Sequence, residues 1–491
     1  FTADGGTIKL DGNYPVGTAN VALGDAAGAA ITSGGRNTLI GGSAGDALTV
    51  GQRNVVIGTD ALSADTQGSR SVAIGQAALA NQNFTSATDN YNVAVGFQAG
   101  VNVSTGTNNT LIGGLAGDAI TTGGYNVAVG ATALTANTTA SFNTAVGYQA
   151  AYSNTTGADN TAMGTAALYP NTTGNYNAAF GSASLRQNTT GSFNTALGQS
   201  ALNRNTTASS NTAVGYQAAY TNVTGQVEAF GYQALYNNTG NYNQAFGYQA
   251  LNSNTSGSYN IAMGRGAVQL NTTGSNNVGI GFQALVNNTT ASNNTAVGYQ
   301  AGLSNTTGTG NVALGHTALQ SNTTASYNTV VGYAAAYSNT TGESNTVLGQ
   351  GAMYVNTTGG DSVAVGRSAL FNNTTGQYNT ALGRSALQAN TTASNNTALG
   401  YQAGYSTTTS PYNTFIGGIA GQNTTGSRNT FLGYNSGRDI TSGSENTILG
   451  RFVGNQGGLD IRTSSNNIVL SDGNGNPRMY YTNATVNWRI A

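Results

Sequence analysis

The run from Asn143 to Gly157 reads N-T-A-V-G-Y-Q-A-A-Y-S-N-T-T-G, and its reading decides the fold. Thr144 and Val146 share one face of the first segment and Ala145 takes the other, the two-residue alternation of a strand. Gly147 closes that strand. The stretch after it, Tyr148 to Ala151, predicts a second short strand, and Asn154–Gly157 is turn chemistry. Helical spacing is not sustained, because Gly or Asn interrupts it every few residues.

The pattern recurs along the chain. Glycines that close an N-T-A-V-G-like run fall at Gly24, Gly41, Gly58, Gly75, Gly96, Gly113, Gly130, Gly147, Gly164, Gly181, Gly198, Gly215 and Gly231. They continue at Gly247, Gly264, Gly281, Gly298, Gly315, Gly332, Gly349, Gly366, Gly383, Gly400, Gly417, Gly433 and Gly450, making 26 units. The step is 17 residues, except for 16 from Gly215 to Gly231, Gly231 to Gly247 and Gly417 to Gly433, and 21 from Gly75 to Gly96. The extra residues of the long unit lie near Asn81–Thr88 and are expected to bulge outward. A short fixed period is the signature of a solenoid. The chain therefore predicts an all-β parallel β-roll or β-solenoid with one coil per unit, equivalent strands pairing about 4.8 Å apart.

Residues 20–450 form this repeat shaft; 1–19 read as an N-terminal cap or connector and 451–491 as a C-terminal β cap or neck. In the last segment Asn467–Ser471, Arg478–Tyr481 and Val486–Ile490 read as strands and Asp472–Gly475 as a turn. A cap is needed because an open last coil exposes unpaired strand edges.

Composition narrows the function. Charged residues make up 6% of the chain, against about 25% in an ordinary domain. The net charge of −1 offers no basic surface for nucleic acid, and no apolar run is long enough to predict membrane insertion. Cysteine is absent, which excludes disulfides and thiolate metal sites. Each coil offers few large apolar side chains, so a single-chain core is thin. Alanine recurs three positions after the marker glycine, as at Ala61, Ala150, Ala234 and Ala386. A column of small residues permits close approach of another chain, and predicts a homotrimer.

The N-T-A-V-G and S-V-A-I-G runs, including Ser71–Gly75 and Ser362–Gly366, resemble the head repeats of trimeric autotransporter adhesins. Those heads are trimers of left-handed parallel β-rolls with a shorter unit that lacks Asn-Thr-Thr-Gly. The full unit, with Gly-Tyr-Gln-Ala-Leu and Asn-Thr-Thr-Gly, looks like the repeats of phage tail fibres. Ile468–Ser471, Asp472–Gly473 and Asn476–Tyr480 resemble the segment that precedes an endosialidase-type intramolecular chaperone. The resemblance implies a chaperone following Ala491 that is removed by self-cleavage once the trimer is in register.

Chemistry-bearing residues are sparse. His316, the only histidine, occupies position one after its glycine, where other units carry Tyr148, Tyr299 or Tyr401. It reads as a ladder residue rather than a base. Carboxylates are scattered, with no recurring acid–base pair. Asp460 and Asp472 are too few in ligands for calcium. The expectation is therefore no enzyme, no cofactor and no metal. Two repeated features remain. Tyr148, Tyr216, Tyr232, Tyr248, Tyr299 and Tyr401 share position one, while Phe142, Tyr176, Phe193, Tyr242, Tyr259, Tyr327 and Tyr378 share position twelve. These read as stabilising stacks, with the position-one row as the candidate for stacking against host-surface glycans. The second feature is the Asn-Thr-Thr series at Asn137, Asn154, Asn171, Asn188, Asn205, Asn271, Asn288, Asn305, Asn322, Asn339, Asn356, Asn373 and Asn390. Each is an N-x-T sequon. In a phage or bacterial protein it reads as a turn whose side chains cap and stack; in a glycosylating host it reads as a sugar-coated ridge. The functional expectation is a virion tail-fibre shaft that mediates or supports host attachment, the alternative being an extracellular or cell-surface fibre or adhesin.

Overall fold

The structure, a computed structural model, describes residues 19–223, 225–482 and 485–488. The expected N-terminal cap thus lies almost wholly outside the described residues. The chain divides into two compact units, Phe1–Tyr242 and Asn243–Ala491. Each contains thirteen of the 26 marker glycines and one three- or four-residue strand before every one of them. No helix occurs among the described residues. Within each unit successive strands pair in parallel, residue for residue, at the repeat spacing: Thr144, Ala145 and Val146 sit beside Thr161, Ala162 and Met163. In the second unit Thr295, Ala296 and Val297 likewise sit beside Val312, Ala313 and Leu314. This is an all-β parallel β-solenoid of one coil per unit.

The centre of each strand faces inward. Ala145 is fully buried while Thr144 and Val146 are partly exposed. The core of a coil is this residue together with positions three and four, Ala150 and Ala151 in one coil and Ala386 and Leu387 in another, all buried. The alanine column expected to receive a second chain is therefore filled by its own coil. Ala61, Ala150, Ala234 and Ala386 are all fully buried, so this column offers no surface to a partner.

Volume is conserved inside the coil. Where the strand centre enlarges to Leu39, Leu111, Phe415 or Phe431, position four nearby shrinks to glycine. A Cβ placed on Gly421 would meet the Phe415 ring, and one on Gly437 the Phe431 ring. Close-packed interiors accommodate a large residue only by removing a neighbour's volume.

The stretch after the marker glycine is not the second strand expected. Gln149 and Ala151 adopt φ of 57° and 49°, in the left-handed region, so the chain turns rather than extends. Hydrogen bonds to neighbouring coils hold the turn: Gln149 N–H to Ala131 O at 3.2 Å on one side, and Ala151 N–H to Ala167 O at 2.9 Å on the other. Position twelve repeats the conformation, with φ of 62° at Phe142. Non-glycine residues rarely adopt it, and they persist where the surroundings over-determine them.

The long coil also differs from expectation. Thr88–Asp89 pairs in parallel with Gly68–Ser69, and Arg70 meets Asp89 at 2.9 Å. Gln82 and Phe84 are buried, so part of the insertion enters the coil instead of bulging outward. At the other end the parallel ladder continues one strand past Gly450, with Ile468–Ser471 beside Thr447–Leu449. Antiparallel strands Pro477–Thr482 and Thr485–Trp488 then follow. The first of them pairs with Ile468–Ser471, the last ladder strand, and the second pairs with the first.

The marker glycine is needed for conformation and for clearance. Gly298 has φ of 139°, and a Cβ there would lie 2.4 Å from Gly315 O. Gly298→Ala is expected to cost about 1–3 kcal/mol from backbone strain alone, more with the clash. Hydrogen exchange should show the loss first in the amides of the coils around residue 298.

Candidate functional site

Two buried asparagine ladders run through the coil interior. In the first, the asparagine that precedes most strands accepts at Oδ1 the backbone N–H of the equivalent residue in the next coil, as Asn143 does from Asn160 at 3.0 Å; Ser362 does the same through Oγ. The Asn143 Nδ2 donates across to Gly157 O at 3.0 Å. In the second, Asn154 Nδ2 donates to the same Gly157 O at 2.8 Å, and its Oδ1 accepts from Asn171 Nδ2 at 2.7 Å. Where a coil carries both asparagines, as here and at Gly174, the ladders converge on one carbonyl. The threonine after the second asparagine adds a third line, Thr155 Oγ1 donating to Thr172 O at 2.9 Å.

This geometry decides how the sequons sit. Asn137, Asn154, Asn171, Asn188, Asn205, Asn271, Asn288, Asn305, Asn322, Asn339, Asn356, Asn373 and Asn390 are all buried, none more than 2% exposed. Their amide nitrogens point into the coil and donate there. The folded coil has no room for a glycan on these atoms, so the turn-and-ladder reading describes them and the exposed sugar ridge does not.

The ladder has defined breaks. Asn390 Oδ1 has no partner, because the next coil carries Thr407 in place of asparagine. Asn205 Oδ1 is also unpaired: the next asparagine, Asn222, donates instead to Asn211 Oδ1 and Gly225 O.

The six candidate tyrosines, three in each unit, lie at the turn after the marker glycine but not in one environment. They are between 39% and 54% exposed. Tyr216 and Tyr232 stack at 5.3 Å between centroids. Tyr299 is sandwiched between Phe282 at 5.3 Å and His316 at 4.8 Å, so neither of its faces is open to a sugar. Tyr248 and Tyr401 lie under Arg265 and Arg384. Tyr148 is flanked in its column by Ala131 and Thr165 and stands outside any ring stack. His316 is part of the stack, between Tyr299 and Tyr333, with Nδ1 3.4 Å from Thr317 Oγ1.

Position twelve stacks in pairs, Tyr125 with Phe142 and Tyr176 with Phe193. A third aromatic column, at position five, escaped the sequence reading: Tyr152 with Tyr169, Tyr220 with Tyr236, and Tyr337, Tyr354 and Phe371 in succession. Its period is the same, but fewer units carry it.

Among the described residues the carboxylates form no acid–base pair. Asp65, in the second asparagine column, is buried among amides. Its Oδ2 accepts from Gln82 Nε2 at 2.6 Å, and its Oδ1 accepts from the N–H groups of Gly68 and Phe84. Burial pushes its carboxyl up from the ordinary value, against the pull of these bonds. Burial likewise raises Asp46 and Asp118. Asp472 is held down at about 2, first by the backbone N–H of Asn476 and then by Arg478. Asp460 is lowered by Arg462. Each of the two aspartates considered for a cation is thus satisfied by its own arginine. Among the described residues no group of three or more His, Asp or Glu is placed to hold a metal ion, and no helix is long and apolar enough to cross a membrane.

No protein-family model matches the chain, and comparison with curated proteins finds no match.

Completing or breaking a ladder should change stability in opposite directions. Asn322→Ala removes donors to Asn305 Oδ1 and Ala325 O and is expected to cost about 1–3 kcal/mol. Thr407→Asn supplies the missing donor to Asn390 and should gain about 1 kcal/mol, both read by denaturant unfolding.

The two ends should respond oppositely to pH. Asp65 titrates higher folded than unfolded, so its contribution is full below the unfolded value of 3.8 and falls as pH rises through the raised value. Asp472 titrates lower folded, so its contribution is present above 3.8 and is lost as pH falls toward about 2. Hydrogen exchange, corrected for its intrinsic pH dependence, should show protection near residue 65 declining upward in pH and protection near residue 472 declining downward.

Proposed function

We propose that this chain is the shaft of a homotrimeric fibre that supports attachment to a host surface, with no catalytic activity of its own. The observation that carries the reading is the outer face of the parallel sheet. The residue before each marker glycine points outward and is apolar in every unit. Examples are Ile40, Ile112, Met163 and Leu197 in the first unit and Leu314, Leu348, Leu382 and Leu432 in the second. None of the 26 is buried. Within each unit this makes a row of half-exposed apolar side chains on a solvent-facing sheet, which is unusual for a monomer. Its axial repeat is that of the coil itself, so a second copy of the chain is the partner that matches it coil for coil. The row replaces the alanine column as the support for association. Three copies, rather than two, follows from the resemblance to trimeric adhesin heads.

The tail-fibre-like repeats favour a phage virion as the location, with host-surface glycans as the ligands. The second reading, a cell-surface fibre or adhesin, draws on the N-T-A-V-G resemblance; the buried asparagines remove its glycan ridge.

Sedimentation of the intact fibre should give a trimer. Replacing Leu314, Leu348 and Leu382 together by Glu leaves the coil interior untouched, since these side chains are 43–48% exposed. The triple variant should keep its β circular dichroism and lose the trimer. A stable wild-type monomer would sink the fibre reading.

A further inference from the structure

Within the second unit, two aromatic columns end in the same place. The position-one stack that passes through Tyr299 and His316 stops at Tyr333, because the next two coils carry Gln350 and Arg367 there. The position-five stack of Tyr337, Tyr354 and Phe371 stops at Phe371, followed by Gln388. Between the columns lies position two, which holds glutamine in four coils of this unit, at Gln249, Gln283, Gln300 and Gln402. Those glutamines fill the gap by reaching glutamines of neighbouring coils: Gln300 Nε2 donates to Gln283 Oε1 at 3.0 Å, and Gln402 Oε1 accepts from Gln422 Nε2 at 2.7 Å. In the five successive coils between Gln300 and Gln402 the residue is smaller, Thr317, Ala334, Gly351, Ser368 and Ser385. The loss of that side chain opens a trough of about 220 Å³ lined by Tyr333, Gln350, Tyr354, Arg367 and Phe371 over this small-residue floor. It spans two coil steps, about 10 Å at the strand spacing, which is room for one or two sugar rings.

Charge selects the ligand. Positions one to seven of the second unit contain Arg265, Arg367 and Arg384 and no carboxylate from Tyr248 through Thr424. The ion pairs of the described residues use other arginines: Arg70, Arg428, Arg438, Arg462 and Arg478. Arg367 is exposed at the rim of the trough. A guanidinium beside aromatic walls, without a carboxylate of its own, suits a ligand with an apolar ring face and a carboxylate at its edge.

We propose that the trough between Tyr333 and Phe371 binds a uronic-acid residue of an acidic polysaccharide. The sugar ring packs on the face of Tyr333 that no ring covers and against the edges of Tyr354 and Phe371. Its carboxylate pairs with Arg367, and Gln350 meets a hydroxyl. This assignment rests on the host-attachment reading above and names the ligand class for it. Position one is thus a binding column where the aromatic stack ends, not where it is continuous.

The test is calorimetric titration of the intact fibre with an oligoglucuronate and with a neutral oligoglucoside of the same length. The oligoglucuronate should bind, and the neutral compound should bind at least about tenfold more weakly. Arg367→Gln should weaken oligoglucuronate binding by about tenfold or more. The decisive variant is Ser368→Gln with Gly351→Gln, which refills the trough with the side chain that Gln300 and Gln402 carry at the same position. Ser368 has φ of 56° and Gly351 of 61°, close to the 51° of Gln300 and Gln402, so the backbone accepts the change. That variant should keep its circular dichroism and sedimentation and lose binding. Absence of oligoglucuronate binding to the wild type, equal binding of the neutral compound, or full binding by the refilled variant overturns the assignment. The fibre reading fails separately, if sedimentation of the same wild-type sample gives a monomer.

Discussion

The coil depends on a buried amide that must be satisfied in every turn. Seventeen residues around so small a core leave backbone carbonyls and N–H groups facing inward with no water to bond them, and an unpaired buried polar group is expensive. Asparagine solves this because its side chain carries both a donor and an acceptor. The carbonyl at Gly157 receives Asn143 from the preceding coil and Asn154 from its own, while their Oδ1 atoms serve the coil that follows. Each coil is completed by its neighbours, so no coil is a folding unit by itself. The orphan Oδ1 of Asn390, opposite Thr407, marks a place where that completion fails.

With the polar interior satisfied, side-chain size does the remaining work inside. Alanine at the strand centre and at position three lets the two walls of the coil meet, and leucine at position four fills what is left. Where phenylalanine enters, as at Phe415, glycine makes the space. The core is therefore uniform in volume though not in sequence. The marker glycine holds the corner, where the next coil's glycine carbonyl lies too close for a side chain.

The outside is divided by the same geometry. Alternation along the three-residue strand sends its flanking residues outward, giving each unit a face mostly of threonine or valine beside an apolar row. The turn face, by contrast, carries stacked rings, glutamine ladders and a few arginines. Because equivalent positions are separated by one coil step, any side chain there meets its counterparts above and below. A ring inside such a column has both faces occupied, as Tyr299 does. Ligand-accessible faces arise where a column ends, as at Tyr333.

The period, the parallel pairing and the closing hairpin were legible in the sequence, because each follows from spacing: marker glycines set the coil, and the apolar alternation near Ile468 and Met479 set the last strands. The turn after the marker glycine was not legible. Gln149 and Ala151 are residues that extend or coil in other proteins, and only bonds to neighbouring coils hold them at positive φ. Which way the alanine column faces was also hidden, since it lies in that same turn and its direction is set only when the coil closes. The sequence by itself determined a stack of equal coils and the absence of charge from most of its surface. Tertiary structure alone decided that the Asn-Thr-Thr asparagines are interior rather than exposed, and that the apolar residue before each glycine is left outside. The physical reason is that burial belongs to the closed coil: a side chain is inside or outside only once the chain has turned and met itself again.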